Sequence, residues 1–240
     1  MENTLHKEEN SRLSEIGKDF TMFDKDTKVN FYRTKTIIEN TKGPKILELG
    51  CADGGVTEKL LESFKDVIAV DASSELIKKA KQRAPGAKYF QALFEEYDPG
   101  QKFDTIILGH VLEHVIDPVF ILKKVSNWLN DKGFIVLTVP NGESIHRRIG
   151  VEMGMLKFSN QLNEDDIKAG HRRVFTVQTL RATVIESGLN ILKETGVLIK
   201  PLSNRQMYEW PKELFDAYYC LSQKLPAEFG GELCMVCERA

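Results

Sequence analysis

The chain of 240 residues carries 33 Lys and Arg against 35 Asp and Glu, a formal net charge of −2, with 42% hydrophobic and 28% charged residues. That length supports one sizeable core with a small appendage, and no apolar run approaches the length of a membrane span. The charge balance excludes bulk electrostatic capture of nucleic acid or of an anionic membrane, so any basic site must be local.

The stretch MENTLHKEENSRLSEIGKDF (1–20) is charged and lacks the apolar core of an export signal, which predicts a cytoplasmic protein. VNFYRTKTIIENT (29–41) reads as a helix. From Lys42 onward short apolar runs alternate with helical patterns, the signature of βαβ units around a mostly parallel sheet. KILEL (45–49) is the first strand, and VTEKLLESF (56–64) a helix with Val56, Leu60, Leu61 and Phe64 on one face. DVIAV (66–70) follows as strand two, then SSELIKKAKQRA (73–84) as a helix capped by Ser73 or Ser74 with cations crowding its end. AKYF (87–90), FDTIIL (103–108) and GFIVLTV (133–139) are strands three to five. PVFILKKVSNWL (118–129) is the helix before the fifth strand, with proline in its first turn. The rhythm breaks between Asn141 and Val174, a charge-dense insertion. VQTLRATVIESG (177–188) restores a helix ended by glycine, NILKETGVLI (190–199) is strand six, and a last helix is expected from Met207 to Leu225. GELCMVCER (231–239) closes the sheet as an antiparallel strand seven.

Four cysteines are present, Cys51, Cys220, Cys234 and Cys237. The Cys-x-x-Cys at the end lacks a second ligand pair at finger-like spacing and reads as a terminal strand with buried sulfurs, so no metal site is expected.

Open α/β sheets bind ligands beyond the carboxyl ends of their strands, which directs attention to ELGCADGG after the first strand. Gly50, Gly54 and Gly55 permit a tight turn and close approach of a ligand, with helix N–H groups nearby. Asp71, at the end of strand two, stands where a carboxylate can accept hydrogen bonds from both ribose hydroxyls of an adenosine. Loop, strand-end acid and βαβ frame together point to an adenosyl cofactor. The alternative is a plain turn and a helix cap.

Here the sequence resembles the class I S-adenosylmethionine-dependent methyltransferases. Glu48-Leu49-Gly50-Cys51-Ala52-Asp53-Gly54 is similar to their first motif, Asp71 to the ribose-binding acid, and GHVLEHVIDP (109–118) to the loop after strand four. The loop departs from the family at Ala52, where glycine is usual. The resemblance implies a doubly wound, Rossmann-like seven-stranded α/β fold with S-adenosylmethionine as cofactor and S-adenosylhomocysteine as product. It implies cofactor contacts from Glu48, Gly50, Asp53, Asp71 and Ala72, from Ala92, Leu93 and Phe94 beside adenine, and from Gly109 and His110 near the methionine portion. It also implies that the N-terminal helix lids the cofactor, with Tyr32 and Arg33 as contacts. The organisation expected is a helical lid over 1–41, a cofactor-binding half over 42–140, a substrate-binding insertion over 141–174, and the remainder of the same domain over 175–240.

His146-Arg147-Arg148 directly follows VPNG, and His171-Arg172-Arg173 precedes VFT. If the insertion folds back, both triplets converge on one pocket, and guanidinium forks match phosphate or carboxylate. This predicts a small polar, anionic acceptor, phosphorylated, sugar- or nucleotide-linked, such as an envelope precursor. The alternative is that these arginines pair with Glu143, Glu152, Glu164, Asp165 and Asp166. An oxygen or protonated amine acceptor needs a base, for which His110, His146 and His171 are candidates, while His114 reads as structural. No Asn/Asp-Pro-Pro-Tyr/Phe motif follows strand four, so nucleic acid is not an expected substrate; the oligomeric state is not readable. Two other classes share the glycine loop, a nicotinamide-dependent oxidoreductase and a non-catalytic cofactor-binding protein.

Overall fold

The computed structural model describes Arg12 and residues 27–240. The expected lid over 1–41 therefore falls partly outside the described residues. Its described part is helix α1 (Thr27–Asn40), followed by β1 (Lys45–Leu49), α2 (Gly55–Leu61), β2 (Asp66–Asp71), α3 (Ser74–Arg83), β3 (Lys88–Gln91) and β4 (Phe103–Gly109). Helix α4 (Pro118–Ser126) leads to β5 (Leu129–Pro140). Two helices, α5 (Ile145–Glu152) and α6 (Glu164–Lys168), occupy the insertion, and α7 (Val177–Glu186), β6 (Leu189–Ile199), α8 (Asn204–Met207), α9 (Lys212–Ser222) and β7 (Gly230–Arg239) complete the chain.

The strands form one sheet in the order β3-β2-β1-β4-β5-β7-β6. β1 pairs in parallel with β2 and β4, β2 with β3, and β4 with β5, whereas β7 runs antiparallel to both β5 and β6. Strand-period alternation splits the core between the two faces. Leu47, Ile106, Leu108, Ile135 and Leu137 point to the side covered by Ile121 and Leu122 of α4 and Leu180 of α7. Ile46, Ile107 and Val136 point to the other, where Tyr32 and Ile37 of α1 and Phe215 and Tyr219 of α9 pack.

Local signals account for the helix starts. Ser73 caps α3 by accepting from Leu76 N–H, Asp117 caps α4 by accepting from Phe120 N–H with Pro118 in the first turn, and Thr176 closes a capping box on α7. Several boundaries differ from the sequence reading, and two of them have a plain local cause. Helix α4 stops at Ser126 rather than Leu129, because Leu129 already pairs with Phe103 in the sheet. The expected helix over 207–225 is broken into α8 and α9, because Pro211 has no N–H to continue a helix and forces Trp210 out of helical geometry; Pro211 itself is extended, at φ −65° and ψ 153°. On β7, Cys234 and Cys237 are both buried, on opposite faces, and burial pushes both thiols up to about 12. Among the described residues no helix is long and apolar enough to cross a membrane.

The turn into α2 depends on Gly54, which sits at φ +85°, where an added Cβ would lie 2.9 Å from Ala80 Cα. Gly188 has a comparable φ of +75° with nothing near its would-be Cβ. Gly188→Ala is expected to lose only the left-handed backbone term, about 1 kcal/mol, and Gly54→Ala about 1–3 kcal/mol more through overpacking. Equal losses in urea denaturation would dismiss the close approach of α2 and α3 as a constraint.

Candidate functional site

A cavity of about 1200 Å³ opens beyond the carboxyl ends of β1, β2, β4 and β5, the place where open α/β sheets bind ligands. Its floor is the loop after β1. Gly50 takes φ +78°, and an added Cβ would strike Val111 Cγ2 at 2.6 Å. Ala52, the residue standing where glycine is usual, nevertheless takes φ 48°, and in that left-handed conformation its N–H donates to Asp71 Oδ2 at 3.0 Å. Ser73 N–H donates to Asp71 Oδ1 at 2.9 Å, so the carboxylate is held from two sides while lining the cavity. Burial raises its pKa against those backbone N–H groups. Behind the loop, Glu48 is buried and accepts from Thr57 Oγ1 at 2.6 Å. Burial pushes Glu48 up to about 7, with the Thr57 bond opposing and the Asp71 charge reinforcing the shift.

Ala72, Leu93, Phe94, Gly109 and His110 also line the cavity. Ala92 stands off the wall, tied by its N–H to Asp71 O and packed on the core. Asp53 does too: one oxygen caps Gly55 N–H and the other meets Arg83 Nη1 at 2.8 Å. Tyr32 is turned away entirely, its ring between Phe215 and Tyr219 and its hydroxyl donating to Asp216 at 2.8 Å.

Its helix neighbour Arg33 does face the cavity, and there it meets a residue that sequence reasoning missed. Arg33 Nε and Nη2 form a bidentate pair with Glu232 of β7, at 2.8 and 2.5 Å. Burial opposes the charge on Glu232, but Arg33 and His110 outweigh it and hold the carboxyl far below the usual range. His110, at φ 56°, stands between two acids, with Nε2 3.2 Å from Glu232 Oε2 and Nδ1 3.4 Å from Glu113 Oε1. Glu113 is fully buried, and neither of its carboxylate oxygens has a hydrogen-bond partner. A lone acid inside the apolar strand GGELCMVC was the available signal for Glu232.

The two His-Arg-Arg triplets do meet, on a carboxylate of the protein itself. Arg147 Nη1 lies 3.1 Å from Asp166 Oδ2, and His171 Nδ1 lies 3.1 Å from Asp166 Oδ1. Burial works against charge on Asp166, yet His171, the Asn163 N–H and Arg147 together pull it down to about 2. The rest of the Arg147 fork is on carbonyls, Nε on Ser159 and Nη2 on Gln161. Arg148 is exposed, donating to Glu143 O at 2.6 Å and 3.7 Å from Glu228. Arg172 and Arg173 clasp the loop after β4: Arg172 Nε reaches His114 O at 3.0 Å, and Arg173 reaches the carbonyls of Leu112, Val115 and Ile116 at 2.9, 2.6 and 2.9 Å. Arg148, Arg172 and Arg173 thus lie off the cavity wall, whereas His146, Arg147 and His171 line it. His146 accepts or donates at Nδ1 with Ser144 Oγ at 3.1 Å. Burial, with Lys200 and Arg147 adding repulsion, holds it down to about 3, and burial likewise lowers His114 to about 4. Neither is a strong proton acceptor.

The profile of the methyltransferase domain family matches residues 22–194. A ubiquinone biosynthesis O-methyltransferase of Bradyrhizobium diazoefficiens is 28% identical over 170 residues, 68% of this chain and 65% of the relative. A trans-aconitate 2-methyltransferase of Rhodopseudomonas palustris is 29% identical over 99 residues, 40% of this chain and 39% of the relative. The chain therefore spans less than two thirds of the length of these relatives. Among solved structures, a SAM-dependent methyltransferase of Thermotoga maritima, described as a possible histamine N-methyltransferase, superposes with a TM-score of 0.69 at 16% identity over 95% of this chain and 100% of its own. A DhpI-SAH complex superposes with a TM-score of 0.60 at 15% identity, covering 98% of this chain and 94% of its own.

The buried Glu48 makes stability depend on pH. Its folded value of about 7 exceeds the ordinary 4.5, so the folded state binds the proton more tightly. The resulting stabilisation is present below the ordinary value and lost as pH rises through 7. Glu48→Gln removes this loss: without ligand, its stability relative to the parent should rise by about 2–3 kcal/mol between pH 4.5 and 8 in denaturant titrations.

Proposed function

The chain belongs to the class I S-adenosylmethionine-dependent methyltransferase family, and from that premise we propose that it transfers a methyl group to an oxygen of a small, polar, anionic acceptor. The observation that carries this reading is Asp71, fixed by the N–H groups of Ala52 and Ser73 at the cavity floor. A carboxylate locked in that way presents its remaining lone pairs to a pair of vicinal hydroxyls without rearrangement. The glycine cradle supports the same assignment, since a side chain at Gly50 would fill the space against Val111.

At the other end, Arg33 and Glu232 offer both charges to a zwitterionic amino-acid group, and Leu93 and Phe94 supply an apolar wall for a flat base. S-adenosylmethionine, when bound, supplies a methyl group on a sulfonium whose departure needs no acid. The chain's own task is then alignment, exclusion of water and removal of the acceptor's proton. His110 is the base proposed: it lines the cavity, and Glu232 and Glu113 flank it to hold the imidazolium formed. With the triplet arginines committed to carbonyls and to Asp166, an acidic group on the acceptor is assigned instead to Lys200 and Arg205, both on the cavity wall. Relatives named for O-methylation in ubiquinone biosynthesis and for methylation of trans-aconitate support a small acceptor.

Calorimetric titration should give saturable binding of S-adenosylhomocysteine and none of NADH; the reverse pattern would replace the reading with an oxidoreductase. Asp71→Ala should weaken S-adenosylhomocysteine binding by about 1–3 kcal/mol, roughly 5- to 150-fold, and an unchanged affinity would remove Asp71 from the cofactor site. In turnover assays with labelled cofactor and a panel of small hydroxyl and carboxyl compounds, His110→Ala should lower kcat by about 10²- to 10⁴-fold. Binding without turnover of any compound would favour a non-catalytic cofactor-binding protein.

A further inference from the structure

We propose that Glu113, His114 and His171 form a binding site for a divalent transition-metal or zinc ion beside the cavity. One ligand atom from each residue lies within 4.8 Å of the others. In a tetrahedral site two atoms bonded to one ion at about 2.1 Å stand about 3.4 Å apart, so binding draws the widest pair together by up to about 1.4 Å, which side-chain rotation has to supply.

Three independent features point to an ion rather than to packing. The first is Glu113: fully buried, with neither oxygen in a hydrogen bond and only His110 Nδ1 near it, 3.4 Å from Oε1, it is a buried charge that a cation would satisfy more fully. The second is the pose of the two imidazoles, edge to face with centroids 4.8 Å apart, which brings two ring nitrogens near one carboxylate. The third is the support behind His171. Its Nδ1 faces Asp166 Oδ1 at 3.1 Å, and Asp166 is itself held by Arg147 and by the Asn163 N–H. A histidine that donates one N–H to a fixed carboxylate presents its other nitrogen as a lone pair in a set direction, the arrangement that orients metal-bound histidines.

Four of the six residues of the doubled His-Arg-Arg then serve this site. Arg147 of the first triplet fixes Asp166, which orients His171 of the second. Arg172 N–H donates to Glu113 O at 2.8 Å, and the guanidiniums of Arg172 and Arg173 hold the carbonyls of His114 and its neighbours. The loop bearing Glu113 and His114 is thereby secured against the segment bearing His171. Two imidazoles and one carboxylate suit zinc or a first-row ion of similar preference better than calcium or magnesium, which favour all-oxygen sets. His114 and His171 line the cavity, so positions left open on the ion face it. Resting on the methyltransferase reading, those positions take oxygen atoms of the acceptor, and the ion lowers the pKa of a bound hydroxyl whose proton passes to His110, with Glu232 alone holding the imidazolium once Glu113 is on the ion. The metal site itself does not depend on that reading.

The full chain, stripped with a chelator and dialysed, would be titrated with Zn²⁺ by calorimetry, with metal content measured by atomic emission and Co²⁺ used as an absorption probe. The expected result is one Zn²⁺ per chain and a Co²⁺ visible spectrum, both lost in Glu113→Gln and His171→Ala, with Asp166→Asn weakening Zn²⁺ about 10- to 100-fold. The proposal is overturned by absence of saturable Zn²⁺ binding to the parent chain, or by Zn²⁺ binding that survives both ligand substitutions. S-adenosylhomocysteine affinity, read on the same parent preparation, separates the two readings: its retention without metal binding sinks the metal site alone, and its absence sinks the methyltransferase reading.

Discussion

One buried carboxylate, Asp166, sets the shape of everything above the sheet. It belongs to a five-residue helix that could not persist alone, yet three donors converge on it: Arg147 from α5, His171 from the chain leaving the insertion, and the N–H of Asn163, whose side-chain oxygen in turn accepts from Asp166 N–H. Burying that charge is unfavourable by itself, and these partners more than offset it. Because the partners come from both ends of the insertion, the segment is drawn into a closed loop over the end of the sheet. Without Asp166, Arg147 would be left as an uncompensated charge among the carbonyls of Ser159 and Gln161.

A second acid performs the matching task on the opposite rim. Glu232 lies on β7, the antiparallel strand, and joins Arg33 of α1 to His110 at the end of β4. Elements far apart in the chain are thereby locked in register around the cavity, and His110 is kept in a left-handed conformation that a non-glycine residue rarely adopts. The floor is organised differently: Asp71 is satisfied by backbone N–H groups instead of side-chain cations. Ionic partners hold what must be brought together across the fold, while backbone partners hold what the local turn already places.

Much of this was legible in the sequence. Alternating apolar runs revealed the sheet, and the glycine loop with Asp71 revealed the cavity floor, because both are local patterns of period and turn chemistry. Even the departure at Ala52 carried its meaning, since the backbone keeps φ 48° there despite the methyl group. Pro211 was a readable break that helical periodicity concealed. What sequence could not resolve was orientation between neighbours. Tyr32 and Arg33 are adjacent on a helix, about 100° apart around its axis, so only one could face the cavity, and it is Arg33. Arg147 and Arg148 pose the same choice, one turned inward and one to solvent. Arg172 and Arg173 bind backbone carbonyls, acceptors that every residue carries and no pattern marks. Glu113 was equally hidden, because a buried carboxylate outside any hydrogen bond is defined by what surrounds it in space.

The place of β7 has a consequence for assembly. It pairs with β5 on one side and β6 on the other, so the edge strand β6 has no place beside the five parallel strands until residues 230–239 insert between them. During synthesis the parallel half, with its glycine turn and Asp71, can form early from near-neighbour contacts, whereas the rim awaits Glu232, close to two hundred residues after Arg33. A nascent chain would thus possess a floor before it possesses walls, and competence for ligand would arrive in one late step.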